Sequence, residues 1–181
     1  MSNDNLKGIL EASYQPQRQA AENLQMMGYR YDPELSTMEN KVFVDKDNKP
    51  HIAYRGSVRV SDWADNLKMA LTGKSEKIDQ KVDLAKRVQE KYGEAPTTYG
   101  HSRGGYASEK AGEATGGKSY TYNKATLPKD VFKTIRSDQT DIRTSKDVIS
   151  LPSFFQSGGS KQTIKSGLFD NIFKSHSISQ L

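Results

Sequence analysis

The chain of 181 residues contains no cysteine, and this absence excludes both disulfide bonds and metal sites built on thiolates. It has only three histidines, so a mechanism that needs a histidine base has few candidates. No run of eighteen apolar residues occurs, so no membrane-spanning helix is expected. The first seven residues carry neither a basic stretch nor an apolar stretch, so no secretory signal peptide is expected.

Charge of one sign is not concentrated anywhere in the chain. The 27 basic residues are scattered among 22 acidic ones, which gives a net charge of +5 without a block of like charges. This pattern is typical of a solvated, slightly basic surface, and specific binding of nucleic acid is not expected. Weak attraction to an anionic membrane surface or to nucleic acid stays open as the alternative. The length predicts a single domain over residues 1–181.

The most informative motif is Gly100-His101-Ser102-Arg103-Gly104. A serine hydroxyl becomes a useful nucleophile when a sharp strand-to-helix turn holds it beside a base. Such a turn crowds the neighbouring backbone, so Gly100 and Gly104 are interpreted as the positions where strand and helix approach without a Cβ clash. Ser102 is therefore the candidate nucleophile.

The residues around this motif have the order that it requires. Residues 95–99 are short, begin near a proline and contain β-branched and aromatic residues, which predicts a strand. Downstream, small residues recur at helical spacing and predict a helix that packs closely on a sheet. These are Gly104, Ala107, Ala111 and Ala114. An ordinary alanine-rich helix is the alternative interpretation.

Other segments complete an α/β pattern. A helical N-terminal segment, residues 1–36, is expected to pack on the domain, with two helices over 5–28 broken near Tyr14-Gln15-Pro16. A helix is predicted from Ser75 to Gly93. Strands are predicted at 41–45, 51–54, 119–123 and 140–143, and a flexible loop at 157–162. The order indicates a minimal, mostly parallel central sheet flanked by helices, as in the α/β-hydrolase fold.

A nucleophile in this fold needs a histidine and an acid that follow it in the chain. Only His176 lies downstream of the motif, although a histidine near the end of a chain is also typical of a solvated tail. The acid is expected in a loop just after a strand, and Asp147 has that position. Four other aspartates lie between the two: Asp130 and Asp138 in polar loop sequence, Asp141 within a strand, and Asp170 close to His176.

The developing negative charge on the substrate requires two backbone donors. One is the N–H group of Arg103, directly after the nucleophile, and the other comes from a loop after an earlier strand. The segment Tyr54-Arg55-Gly56-Ser57 has that position, and Gly56 would let the backbone approach a substrate closely. No metal or organic cofactor is needed for this chemistry.

Taken together, these motifs resemble the class 3 lipase family, the fungal triacylglycerol lipase type. The resemblance covers residues 41–181 and includes Ala53–Ser57, Asp62-Trp63, the glycine-serine motif, Asp147–Pro152 and a late histidine. It implies an α/β-hydrolase fold, Ser57 as the oxyanion residue, Asp147 as the triad acid and an ester substrate. The chain departs from that family in its short span before Ser102 and in Arg103 at a position where the family has leucine.

The compact, cysteine-free form is also similar to lipase-like proteins of virus particles, which implies a cytoplasmic or virion-associated location and particle components as partners. The leading hypothesis is a serine hydrolase that cleaves lipid or other acyl esters through Ser102, Asp147 and His176. The alternatives are a non-catalytic structural protein of a virus particle and a thioesterase or peptidase on the same machinery. For the apolar segment 151–155, core packing is expected, with an acyl-pocket wall or contact with a membrane surface as the alternative.

Overall fold

The computed structural model describes residues 2–56, 75–165, 177–178 and 181. Within them lie four α-helices: α1 Asn3–Tyr14, α2 Gln17–Met26, α3 Glu76–Tyr92 and α4 Arg103–Thr115. The strands are β1 Arg30–Tyr31, β2 Asn40–Val44, β3 Pro50–Tyr54, β4 Thr97–His101, β5 Ser119–Tyr122, β6 Thr134–Thr144 and β7 Ser157–Ile164. Two 3₁₀ turns span Pro128–Asp130 and Leu151–Phe155.

The described strands form one sheet in the order in which they occur in the chain, from β1 to β7. The pairs β1–β2 and β2–β3 are antiparallel, and every pair from β3 to β7 is parallel. The predicted mostly parallel α/β sheet of the hydrolase type is thus confirmed. Because β3 to β6 are parallel, their carboxyl ends lie along the same edge, where ligands of open α/β sheets bind.

The ends of the helices follow from local chemistry. Ser75 caps α3, since its side chain accepts a hydrogen bond of 3.4 Å from the N–H of Ile78. Gly93 ends the helix in the left-handed conformation, with φ of +74°. The two predicted N-terminal helices are also present and meet at Pro16. They fill most of segment 1–36, whose later part contains β1.

Each face of the sheet is covered by a different pair of helices. Alternate residues of β3 point to opposite faces, as the two-residue period of a strand dictates. Ile52 and Tyr54 pack in the core that α3 and α4 complete, whereas Ala53 packs in the core beneath α1 and α2. Gly104, Ala107 and Ala111 are buried as expected, but Ala114 is exposed. None of the helices described here is long and apolar enough to cross a bilayer.

Two expectations for the second half of the sheet are wrong. The flexible loop predicted at 157–162 is part of β7, which pairs with β6 while almost all of its side chains stay exposed. Backbone pairing rather than apolar burial makes this segment a strand, so no hydrophobic pattern marks it in the sequence. Gly158 and Gly159 adopt positive φ values beside a register shift in β6. Asp138, expected in a loop, lies within β6.

The expected core packing of residues 151–155 is also wrong. The segment forms a 3₁₀ turn whose Leu151, Phe154 and Phe155 side chains are largely exposed to solvent. Ser153 is the buried member of this turn, and its hydroxyl donates to the carbonyl of Ser150 at 2.7 Å. The polar side of the turn therefore faces inward and its aromatic side faces solvent.

Candidate active site

Ser102 occupies a strained turn between β4 and α4. Its φ of 57° and ψ of −122° lie in a region that residues with a side chain rarely adopt. Such a conformation costs about 1–3 kcal/mol and persists only where the surroundings enforce it. The residue is nearly buried and precedes the first turn of α4. A strained serine between a strand and a helix is the conformation that the sequence motif predicts.

Both glycines of the motif are required by close backbone contacts. A Cβ atom on Gly100 would overlap the carbonyl group of Gly104, the second residue of the helix. A Cβ atom on Gly104 would in turn overlap the carbonyl oxygen of Tyr54 at the end of β3. Helix α4 therefore starts in direct contact with the ends of two strands, which agrees with the interpretation of the two glycines in the sequence.

Backbone hydrogen bonds connect Ser102 to the neighbouring strand. Its N–H donates to the carbonyl of Tyr122, the last residue of β5, at 3.0 Å. Its carbonyl accepts from the N–H of Ala125 at 3.1 Å. Asn123 continues the connection, because its side-chain oxygen accepts from the N–H of Thr144 at 2.8 Å. The serine turn is thus tied, through the end of β5, to the end of β6.

Asp147 lies in the turn that follows β6. Its N–H donates to the carbonyl of Thr144 at 3.2 Å, and its side chain is only 1% exposed. The two carboxylate oxygens accept the N–H groups of Ile149 and Ser150 at 3.2 and 3.1 Å. These contacts fix the carboxylate at the same sheet edge as Ser102, which is the position expected for a triad acid.

Three of the other candidate aspartates have their own partners elsewhere. Asp141 accepts from Lys124 at 2.7 Å and from Thr121 at 2.7 Å. Asp130 accepts from the Tyr106 hydroxyl at 3.1 Å and is buried. Asp138 pairs with Arg136. Asp170 lies outside the described residues. Within the described chain, the geometry therefore favours Asp147 over the alternatives.

The loop after β3 is held against the serine turn by a residue of the N-terminal helix. The Tyr14 hydroxyl accepts the N–H of Gly56 at 3.1 Å and is 2.8 Å from Nδ1 of His101. Since its oxygen already accepts from Gly56, the hydroxyl proton is available for His101. A Cβ on Gly56 would lie only 2.6 Å from the His101 carbonyl oxygen, so this position requires glycine.

The role of Tyr14 was not predicted from the sequence. Burial raises its pKa to about 12, so the hydroxyl keeps its proton at neutral pH. The sequence around it indicates a helix break before Pro16 but contains nothing that connects residue 14 with residues 56 and 101. Only the packing of α1 on the carboxyl ends of β3 and β4 makes the contact.

A buried lysine supports the same loop from the other face of the sheet. The Nζ atom of Lys81, on α3, donates to the carbonyl of Arg55 at 3.0 Å. Burial lowers the pKa of Lys81 to about 8, because the charged form loses its hydration while its hydrogen-bond partner is a neutral carbonyl. Arg103 lies nearby, and its guanidinium donates to the Ser75 hydroxyl at 3.4 Å.

Three predicted site residues remain: Ser57, His176 and Arg103. Ser57 and His176 lie outside the described residues, so their roles stay predictions. Arg103 is the first residue of α4, where a backbone N–H has no intrahelical acceptor and is available to an anion. His51 lies at the opposite end of the strands, where it bonds the Tyr99 hydroxyl at 3.0 Å and stacks on Phe43. No cluster of metal-ligating side chains occurs in the part of the chain that the structure describes.

Comparison with known protein families supplies an independent result. Residues 8–152, most of the chain, match the model described as phospholipase-like, a Tle-like phospholipase domain. No curated protein matches the chain. The family match supports the lipase-like and phospholipase-like character that the sequence motifs imply, without singling out the class 3 lipases. A domain of this kind indicates a lipolytic hydrolase.

Proposed function

Because the chain belongs to the Tle-like phospholipase domain family, we propose that it is a serine hydrolase that cleaves carboxylic esters of phospholipids. The observation that carries the proposal is the strained conformation of Ser102 between β4 and α4. Backbone strain of this kind at a serine, within a phospholipase-like domain, supports a nucleophile rather than an ordinary helix cap.

In the proposed mechanism, His176 takes the proton of the Ser102 hydroxyl while its oxygen attacks the ester carbonyl. Asp147 holds the histidine in the required tautomer and stabilises the imidazolium. The protonated histidine then donates its proton to the leaving alcohol, which leaves an acyl-enzyme. Water, deprotonated by the same histidine, releases the fatty acid and restores the serine.

The contacts at the end of β5 support His176 as the base. Ser177, which directly follows it in the chain, accepts a hydrogen bond of 3.3 Å from the Tyr122 hydroxyl through its carbonyl. Tyr122 is also the residue whose carbonyl accepts the N–H of Ser102. The backbone next to the proposed base and the proposed nucleophile therefore share one contact residue.

The negative charge on the tetrahedral intermediate is proposed to bind to the N–H groups of Ser57 and Arg103. The position of Arg103 at the N-terminus of α4 supports this role, because the helix dipole adds to the single hydrogen bond. The contacts of Gly56 with Tyr14 support a fixed course for the loop that leads to Ser57.

The direct test compares Ser102→Ala with Ser160→Ala, which removes a hydroxyl from the exposed side of β7. Hydrolysis of a soluble p-nitrophenyl ester and release of fatty acid from phosphatidylglycerol are measured for both. Ser102→Ala is expected to lower kcat by about 10³-fold or more, and Ser160→Ala to leave it unchanged. Labelling by a fluorophosphonate is expected for the unmodified protein and not for Ser102→Ala.

Two results would contradict the proposal. Full activity of the Ser102→Ala protein would exclude Ser102 as the nucleophile. A folded, unmodified protein that neither reacts with the fluorophosphonate nor releases fatty acid would favour the alternative of a non-catalytic structural protein. Faster turnover of thioesters or amides than of esters would instead favour the thioesterase or peptidase alternative.

A further inference from the structure

An exposed aromatic cluster lies beside the turn that carries Asp147. Phe132 is 84% exposed, Phe154 is 59% exposed and Phe155 is 56% exposed. The ring centroids of Phe132 and Phe155 are 6.4 Å apart, and those of Phe154 and Phe155 are 5.8 Å apart. Two further exposed apolar side chains are Val148, in the turn after β6, and Leu151, at the start of the 3₁₀ turn. We call these five residues the aromatic patch.

Contacts within the domain hold the rings of Phe154 and Phe155 in solvent. The turn of residues 151–155 faces inward through Ser153, so its polar side is buried and its rings point into solvent. Lys161 holds the turn from β7, where its Nζ donates to the backbone carbonyls of Phe154 and Gln156. A cluster of aromatic rings that the fold holds outward is typical of a binding surface.

Basic residues predominate in the segments that carry the patch, and one of them, Lys133, pairs with Glu113 on α4. In residues 128–133 and 143–165 the only acidic residues are Asp130 and Asp147, and both are buried. The same segments carry six basic residues. These are Lys129, Lys133, Arg143, Lys146, Lys161 and Lys165. Arg143 lies over the ring of Phe154, with its guanidinium carbon 5.9 Å from the ring centroid.

We propose that the aromatic patch docks this domain on an anionic phospholipid surface. Aromatic rings insert at the level of the lipid headgroups, and nearby lysine and arginine side chains are attracted to an anionic leaflet. A protein partner of neutral or basic surface would not use the excess of basic residues, whereas an anionic phospholipid surface uses both the rings and the charges.

The position of the patch gives docking a consequence for the proposed hydrolysis. Val148 directly follows Asp147 in the chain, so a membrane in contact with this part of the patch lies beside the turn that carries the proposed triad acid. Docking would therefore bring phospholipid esters to the side of the domain where that turn lies. This consequence rests on the proposed function, but binding itself does not.

The test measures binding to vesicles of equimolar phosphatidylcholine and phosphatidylglycerol, with the Ser102→Ala protein so that no lipid is consumed. Phe154→Ser together with Phe155→Ser is expected to weaken binding at least about tenfold. The matched control is Met26→Ser with Met38→Ser, which removes two exposed apolar side chains at the β1–β2 end of the sheet. The control is expected to bind as the parent protein does.

A spectroscopic version reports the site directly. A tryptophan introduced by Phe155→Trp is expected to shift its fluorescence to shorter wavelength when these vesicles are added, and one introduced by Met26→Trp is not. Vesicles of phosphatidylcholine alone, or high salt with the anionic vesicles, are expected to reduce binding, because screening removes the attraction of the basic residues.

Four results would overturn the proposal: no vesicle binding by the parent protein, equal loss in the patch and control variants, equal binding to neutral vesicles, or a dimer that the patch variant dissolves. The last result would mean that the patch joins two copies of this chain. Since binding is measured without catalysis, a failure here is separate from a failure of Ser102 as the nucleophile.

Discussion

Two buried lysines mark two regions of the site, and their partners differ. Lys81, beside the loop after β3, donates to a neutral backbone carbonyl, and burial lowers its pKa to about 8. Lys124, just after β5, lies between the carboxylates of Glu109 and Asp141 and also donates to Gln156 at 2.9 Å. Burial alone would raise the pKa of Glu109, but Lys124 and Gln139 hold it below its usual value.

The comparison shows what a buried charge requires. The Lys124 cluster supplies each charge with an opposite charge, so it connects α4 with β6 and with the segment before β7. No carboxylate of the described residues forms an ion pair with Lys81, and burial is the main cause that lowers its pKa, with Glu39 acting against the shift and Arg103 adding to it. The Lys124 cluster is thus a charge-paired polar core, whereas the Lys81 region keeps a buried cation without a carboxylate partner among the described residues, next to the proposed oxyanion loop.

The largest expected effect lies at the proposed acid, in the turn that follows β6. Asp147→Asn is expected to lower kcat by about 10⁴-fold, because an amide stabilises the wrong tautomer of the histidine. Steady-state hydrolysis of a soluble ester measures it. Asp138→Asn is the control, since Asp138 pairs with Arg136 in β6 and is expected to change kcat little. Equal effects at both positions would show that the acid is another residue.

The next prediction tests the comparison of the two lysines. Substitution by methionine should lower the free energy of unfolding at one position and raise it at the other. Lys124→Met leaves Glu109 and Asp141 buried without their cation, so the free energy of unfolding is expected to fall by about 3–5 kcal/mol. Lys81→Met removes a cation whose burial is unfavourable, so the free energy of unfolding is expected to rise by about 2 kcal/mol at neutral pH. Urea denaturation measures both, with the exposed Lys86→Met as the control.

The pH dependence follows from the direction of the Lys81 pKa. The unfolded chain keeps this proton up to the ordinary value of 10.5, while the folded protein releases it near 8. Between these values the unfolded state binds more protons, so the contribution of Lys81 to stability rises with pH. The advantage of Lys81→Met should therefore be full below pH 8 and disappear toward pH 10.5. An advantage that does not change with pH would contradict the comparison.

The smallest expected effect belongs to Tyr14. Tyr14→Phe removes the acceptor of the Gly56 N–H and the hydroxyl that bonds His101, so the proposed oxyanion loop loses one anchor. A decrease of about tenfold in kcat is expected, with little change in KM for a soluble ester. Tyr120→Phe, which removes the hydroxyl of a half-buried tyrosine in β5, is the control. A change in thermal stability without a change in kcat would make Tyr14 purely structural.

Much of the fold could be predicted because its signals are local. The cap at Ser75, the stop at Gly93 and the turn around Ser102 each depend on residues within a few positions of one another. The identity of β7 could not be predicted, because it pairs through its backbone and buries almost no apolar side chain. The exposure of Phe154 and Phe155 was equally hidden, since the sequence records their apolar character but not that Ser153 faces inward.

The candidate site likewise contains residues that the sequence could identify and residues that it could not. Ser102, Arg103 and Asp147 follow directly after strands or begin a helix, so motif and position identify them. Tyr14 and Lys124 act through contacts with residues 15 to 87 positions away in the chain, and no spacing rule connects them. Ser57 and His176 stay predictions that rest on the resemblance and on chain order.

The sequential order of the strands has a consequence for synthesis of the chain. Since each strand lies beside the one made just before it, each can pair as it emerges, and none has to be inserted between strands already paired. The strained turn at Ser102 is therefore made when only four strands exist. Tyr122, Asn123 and Asp147, which fix it and complete the proposed chemistry, are added afterwards. A nascent chain of this domain would thus hold the proposed nucleophile before it holds the proposed acid, and could gain the proposed activity only after residue 147 has emerged.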